Sequence, residues 1–260
     1  MLAQAFILFQ ARDLLIEWTS RNIRARYQQS ALGWLWAVIQ PVAQVAMFTV
    51  IFTVVVPVNT GDIPYILFVY VSLVPWTFLT SSLTDMSDSL VGNMGLITKI
   101  YFPREVLPVA AMLARLMDLG VAAVLIVILV LIYQPALSPA GLLFVPIILA
   151  IQFALILGVG LAAAAANVFF RDVRSLLGLG LQLWFYASPN IYPVTLVPER
   201  LQPFYFLNPM AGILESYRDV LLRGTLPGGY LISSAVLSLV IFLVGYWFFK
   251  RVEFQFADIV

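Results

Sequence analysis

The 260-residue chain has no cysteine, no histidine and only two lysines, Lys99 and Lys250. Without thiols and imidazoles there is no disulfide, no zinc site built on them, no catalytic thiol, no haem held through histidine and no Ser-His-Asp chemistry. Charge is scarce as well: charged residues are 10% of the chain, hydrophobic ones 62%, and the formal net charge is +1. Soluble domains carry about 25% charged and about 45–50% apolar residues. The composition therefore excludes a soluble globular protein and a disordered one. A near-neutral chain also gives no reason to expect a nucleic-acid partner. A P-loop is missing too, because that motif needs Gly-Lys-Ser/Thr and the two lysines follow Thr98 and Phe249. Any ATP that is used must be bound by a partner. What the chain has in abundance is long uncharged sequence, at a mean hydropathy of +0.99, which marks an integral membrane protein.

A spanning helix needs about 20 mostly apolar residues at about 1.5 Å each. Uncharged runs occupy 27–61, 63–84, 119–170, 175–198 and 224–249. The third is too long for one span and is divided at Gln134-Pro135-Ala136-Leu137-Ser138-Pro139, a turn signal. The pattern predicts a single all-α membrane domain over 1–260, with six transmembrane helices near 33–57, 64–90, 106–133, 140–166, 175–192 and 230–249. Eleven of the 14 basic residues then fall on one side, leaving Arg200, Arg218 and Arg223 on the other. The excess of positive charge places both termini in the cytoplasm. Residues 1–30 lack the basic leader of a signal peptide. They mix Phe6, Phe9, Leu14, Ile16 and Ile23 with Arg12, Asp13, Glu17, Arg21, Arg24 and Arg26, which suits an amphipathic helix lying in the interface.

Several stretches carry functional expectations. Between spans two and three, Asn93 is placed to cap a short helix that Pro103 stops. Its apolar Met94, Leu96 and Ile97 beside Lys99 suit docking in a groove of a soluble partner, or else a plain interfacial turn. From 193 to 229 five prolines alternate with apolar residues. Asn208-Pro209 reads as a cap and first helical residue, with Glu215, Arg218 and Asp219 interleaved in the helix that follows. Two short helices dipping into the outer leaflet are expected there, as a gate or as a structural lid. Asp85 with Asp88 and Arg115 with Asp118 are spaced to share helix faces, and ion pairing or function are both open to them. The aromatics Trp34, Trp36, Trp184, Tyr186 and Tyr192 suit an interfacial belt or a channel lining that stacks on the C–H faces of sugars. Gly158, Gly160, Gly178 and Gly180 permit close helix packing and suggest a half-unit that dimerises.

The run Arg26-Tyr27-Gln28-Gln29-Ser30-Ala31-Leu32-Gly33-Trp34-Leu35-Trp36, continuing to Pro41, resembles the opening of permease subunits of type 2 ABC exporters for O-antigen polysaccharide and teichoic acid. Leu96-Ile97-Thr98-Lys99-Ile100-Tyr101-Phe102-Pro103-Arg104-Glu105, Asn167-Val168-Phe169-Phe170-Arg171-Asp172-Val173 and Asn208-Pro209-Met210 resemble further motifs of that family, in order. The resemblance implies a partnership of two permeases with two separate ATPase subunits. ATP and magnesium would sit on the ATPase, and this chain would bind no cofactor or metal and catalyse nothing. Segment 92–102 would be the coupling helix, with Met94, Leu96, Ile97, Lys99, Arg104 and Glu105 facing the ATPase. Re-entrant helices over 193–229 would form the outer gate, through Tyr192, Asn208, Pro209, Glu215 and Arg218. The implied cargo is a polysaccharide on undecaprenyl diphosphate, met at the entrance by Arg24, Arg26 and Tyr27 and passed along Trp34, Trp36, Trp184 and Tyr186. A permease of the same class exporting a drug or small lipid is the alternative.

Overall fold

The computed structural model describes residues 11–28, 33–100 and 102–257. Among these residues the regular structure is entirely helical. Helix α1 (Arg12–Tyr27) leads in and buries none of its residues; positions 1–10 and 29–30 of the expected interface helix lie outside the described residues. Helix α2 (Trp36–Val50) runs on into a π-helical turn, Ile51–Val55. Then come α3 (Tyr65–Val91), the single turn α4 (Met94–Ile97), α5 (Val106–Tyr133), the short α6 (Pro139–Leu142), α7 (Val145–Phe169) and α8 (Val173–Ala187). Two 3-10 turns lead to α9 (Gln202–Tyr205) and α10 (Pro209–Arg218). A second π-helical turn, Asp219–Arg223, precedes α11 (Tyr230–Val252).

Among the described residues, five stretches are long and apolar enough to cross a membrane: Val38–Val55, Tyr65–Val91, Val106–Tyr133, Pro139–Phe169 and Tyr230–Phe256. The stretch expected over 175–192 is not among them. Its helix, α8, has 15 residues. At ~1.5 Å per residue that is about 22 Å, short of a hydrocarbon core of about 30 Å. The helix ends where it does because a proline disfavours helical backbone in the residue before it. Ser188, before Pro189, is extended at φ −110° and ψ 152°, and the Asn190 amide closes the end on the Phe185 carbonyl.

Helix α3 is the axis of the bundle, packed by α2, α5, α7, α8 and α10. Its most apolar window is 78% buried, whereas that of α5 is 6% buried. One has protein on all sides and the other presents a face to lipid. Gln152, fully buried on α7, donates to the Pro75 carbonyl of α3 and meets the Tyr217 hydroxyl of α10. A buried amide left unpaired costs several kilocalories, so these two bonds fix the register of three helices. Helix α10 is buried along its whole length. Gly224 then turns the chain at φ +64°, and a side chain there would meet the Ala136 carbonyl at 2.8 Å, so only glycine fits.

Candidate functional site

The two ends of the bundle differ in chemistry. At the end that carries Lys99, Arg26 of α1, Asp85 of α3 and Arg115 and Asp118 of α5 close into a ring. Arg26 meets Asp85 at 2.5 Å and Asp118 at 2.9 Å. Arg115 meets the same two carboxylates at 2.7 and 3.0 Å. Each carboxylate holds both guanidiniums, so the four charges cancel. The Tyr27 hydroxyl donates to the other oxygen of Asp118. Burial, and then that carboxylate, raise the Tyr27 pKa above its ordinary value and keep the proton on the donor. Arg24, two residues from Arg26, is exposed and bonds back to the Ser20 hydroxyl at 2.9 Å; the structure does not bring it to the ring. Asp88 also leaves Asp85, pairing with Arg174 at 3.4 Å.

The turn between α3 and α5 sorts its residues by burial. Lys99 and Ile100 are exposed, Met94 and Leu96 half-buried, and Ile97 is buried in this chain's own core. Ile97 is thus not available to a partner's groove. Asn93 sits at the N-cap without a side-chain cap bond; its amide donates to the Ser89 carbonyl, and its oxygen takes Arg21 at 3.5 Å. Arg104 is half-buried, with its guanidinium 5.8 Å from the Phe256 ring. Glu105 is 1% exposed and paired with Lys250 of α11 at 2.8 Å. These last two tie α5 to the end of α11 and turn inward.

Between α2, α3 and α8 lies a cavity of about 330 Å³. Gln40, Gln44, Thr80 and Gln182 line it with amides and a hydroxyl, and Trp76 and Tyr186 with rings. Trp36, half exposed, lines a smaller cavity beside the ring. Trp184 is turned away: its indole donates to Asn208 at 2.7 Å and stacks edge-on against Trp76. The Trp34 side chain lies outside what the structure describes. Sequence reasoning missed the glutamines. Their signal was Gln40 and Gln44, four apart within an uncharged run, which places both on one helix face. Thr77, Thr80, Ser81 and Thr84 make the matching stripe on α3.

The opposite end is held by paired polar and charged groups. Asn208 caps α10 at the Met210 amide, and its own amide donates to the Ser188 hydroxyl at 2.8 Å; Pro209 follows, buried, at the first helical position. The Tyr192 hydroxyl lies 3.1 Å from that of Tyr205. Arg218 is wholly buried, 3.6 Å above the Phe68 ring, paired with Glu215 at 3.2 Å and donating to the Asn190 carbonyl. Arg223 neutralises the rest, meeting Glu215 at 2.6 Å and Asp219 at 2.7 Å. Buried charges persist only when paired and hydrogen-bonded, and here two cations answer two anions.

Residues 14–222 match the model of the ABC-2 type transporter family. The chain is 30% identical over 247 residues to the O-antigen export system permease protein RfbA of Klebsiella pneumoniae, covering 95% of each. It is 30% identical over 254 residues to the protein of that name from Myxococcus xanthus, covering 96% of each. The polysialic acid transport protein KpsM of Escherichia coli is 25% identical over 239 residues, 90% of this chain and 91% of its own. With its apolar helices, this likeness makes the chain a multi-pass protein of the bacterial inner membrane. The family model covers most of the chain and the relatives nearly all of it: the chain belongs to the ABC-2 type transporter family.

Proposed function

We propose that this chain is the transmembrane subunit of an ATP-driven exporter that moves an undecaprenyl-diphosphate-linked polysaccharide out of the cytoplasm. The observation that carries the reading is the cavity between α2, α3 and α8. A sugar offers apolar C–H faces and a rim of hydroxyls. Aromatic faces suit the first and amides the second, and Tyr186 and Trp76 stand there beside Gln40, Gln44 and Gln182. A path for an apolar drug or a lipid tail gains little from that row of amides. Relatives named for O-antigen and polysialic acid transport support the same cargo class.

The working unit in this reading is two copies of the chain with two ATPase subunits, which hold ATP and magnesium. Both termini face the cytoplasm, and α8 with the turns that follow Ser188 completes a sixth crossing. Helix α8 exposes most of its length, with Gly178 and Gly180 open, and the second copy covers it, closing the cavity into a channel. Lys99 and the exposed edge of its turn meet the ATPase. Arg24, Arg26 and Tyr27 mark the entrance for the lipid headgroup, and α9 with α10 the re-entrant outer gate. A photo-crosslinking residue at Tyr186, tested in reconstituted transporter during ATP turnover, should capture labelled polymer. One at Leu131, exposed but far along α5, should not. Equal capture at both positions would contradict the proposed path.

A further inference from the structure

The four-charge ring stands between two cavities. On one side lies a space of about 130 Å³ lined by Arg26, Tyr27, Trp36, Gln40, Arg115 and Asp118. On the other lies one of about 220 Å³ lined by Trp18, Asn22, Arg26, Asp85, Asp88 and Asn93. Arg26 borders both. We propose that the ring is an inner gate latched by carboxylates and opened by a diphosphate, which displaces Asp85 and Asp118 from Arg26 and Arg115. The inference rests on the lipid-linked cargo proposed above and adds Arg115, Asp85 and Asp118 to its entrance.

The chemistry follows from the geometry. A guanidinium fork accepts carboxylate and phosphate alike, so the exchange replaces one set of charge-assisted bonds by another. Two guanidiniums held by shared carboxylates match two phosphoryl groups better than one. The closed ring is neutral, so it offers an anion little attraction until the carboxylates leave. Once they leave, Asp85 on α3 and Asp118 on α5 face each other unpaired, and like charges repel. Helix α1 has the lightest hold on the bundle at this point: none of its residues is fully buried, Trp18 is its side chain packed on the core, and its bonds to Asp85, Asp118 and Asn93 are polar. An outward shift of α1 by the width of the bound diphosphate, which then bridges Arg26 and Arg115, joins the two cavities. A ligand shifts such an equilibrium only by its differential affinity, and here the difference is contact with two freed arginines.

The native chain has no cysteine, so Asn22→Cys on α1 and Ser89→Cys on α3, both at the second cavity, carry the spin labels of this chain, which is labelled before it is assembled with the ATPase. The distance between them is measured in the assembled transporter in nanodiscs. One arm adds inorganic pyrophosphate, and another builds undecaprenyl diphosphate into the bilayer. Both should shift the pair to longer distance, the lipid at lower concentration. Asp85→Asn with Asp118→Asn should lower the half-saturating pyrophosphate concentration about tenfold, because the closed state no longer competes. Arg26→Lys, which keeps the charge and loses the fork, should raise it about tenfold. An unchanged distance with both anions, in a transporter that still moves polymer, would overturn the gate and leave the cargo reading standing. Opening without polymer transfer would support the gate and sink the cargo reading. Opening by free pyrophosphate but not by the lipid would overturn the headgroup as its key.

Discussion

Gly245 of α11 lies so close to Gly158 of α7 that a side chain on it would run into the Gly158 carbonyl; a Cβ on Gly158 would in turn stand 2.6 Å from the backbone of Ile241 and Phe242. The two helices touch main chain to main chain. This small-residue seam lies inside the chain, whereas Gly178 and Gly180 of α8 have nothing within 4 Å of an added Cβ. Glycines that look alike in sequence thus serve different contacts.

Gly245→Val should destabilise the single chain by about 1–3 kcal/mol or more, the cost of overpacking, seen as a lower melting temperature in detergent. Gly178→Leu should leave that temperature unchanged or slightly higher, since leucine is the better helix former by under about 1 kcal/mol. Its effect should fall on the dimer, read as dissociation at concentrations where the native chain stays paired. Equal melting losses for both variants would contradict the division.

Lys250→Met should cost about 3 kcal/mol, because it strands Glu105 as a buried charge. Adding Glu105→Gln should restore most of that loss. A double-mutant cycle followed by thermal unfolding measures the coupling. If the two losses simply add, the pair at 2.8 Å is not a coupled unit.

Lys99 and Ile97 are two residues apart and should fail in different ways. Lys99→Glu, on the exposed edge, should leave the permease's melting temperature intact and reduce ATP-driven transport severalfold. Ile97→Ala removes a buried side chain and should cost about 2–5 kcal/mol of stability. Assembly with the ATPase, ATP hydrolysis and melting, measured side by side, separate the two.

Asn208 joins the α10 cap to the end of α8. Asn208→Ala removes the cap and the bonds to Trp184 and Ser188, at about 1–2 kcal/mol for the cap alone. Indole fluorescence should change, because Trp184 loses its acceptor. Asn208→Ser, which keeps a capping oxygen, should recover part of the stability.

The bundle was legible in the sequence where charge and apolar length decide structure, which is why five spans fall where expected. Helix α8 ends before its uncharged run does, at the extended Ser188 before Pro189, although Pro41 and Pro75 are accommodated inside α2 and α3, so neither hydropathy nor the prolines alone marked that end. The Arg115–Asp118 pair could be read from i,i+3 spacing. Arg26 could not be joined to it, because the ring closes across 59 and 92 residues of chain. Ile97 and Glu105 look like exposed neighbours of Lys99 in sequence, and only the packing of α11 and the core turns them inward. The groove's glutamines were visible as letters, but a polar stripe acquires a role only when another helix is known to face it.

The account stands or falls on what crosses the membrane. Proteoliposomes holding this chain and its ATPase should be supplied with a lipid-linked polysaccharide or with small amphiphiles, and transfer of each followed with and without ATP. The account predicts ATP-dependent transfer of full-length polymer, reduced severalfold by Gln44→Leu with Gln182→Leu in the groove. Transfer of small amphiphiles alone, with polymer left outside under every condition, would contradict it.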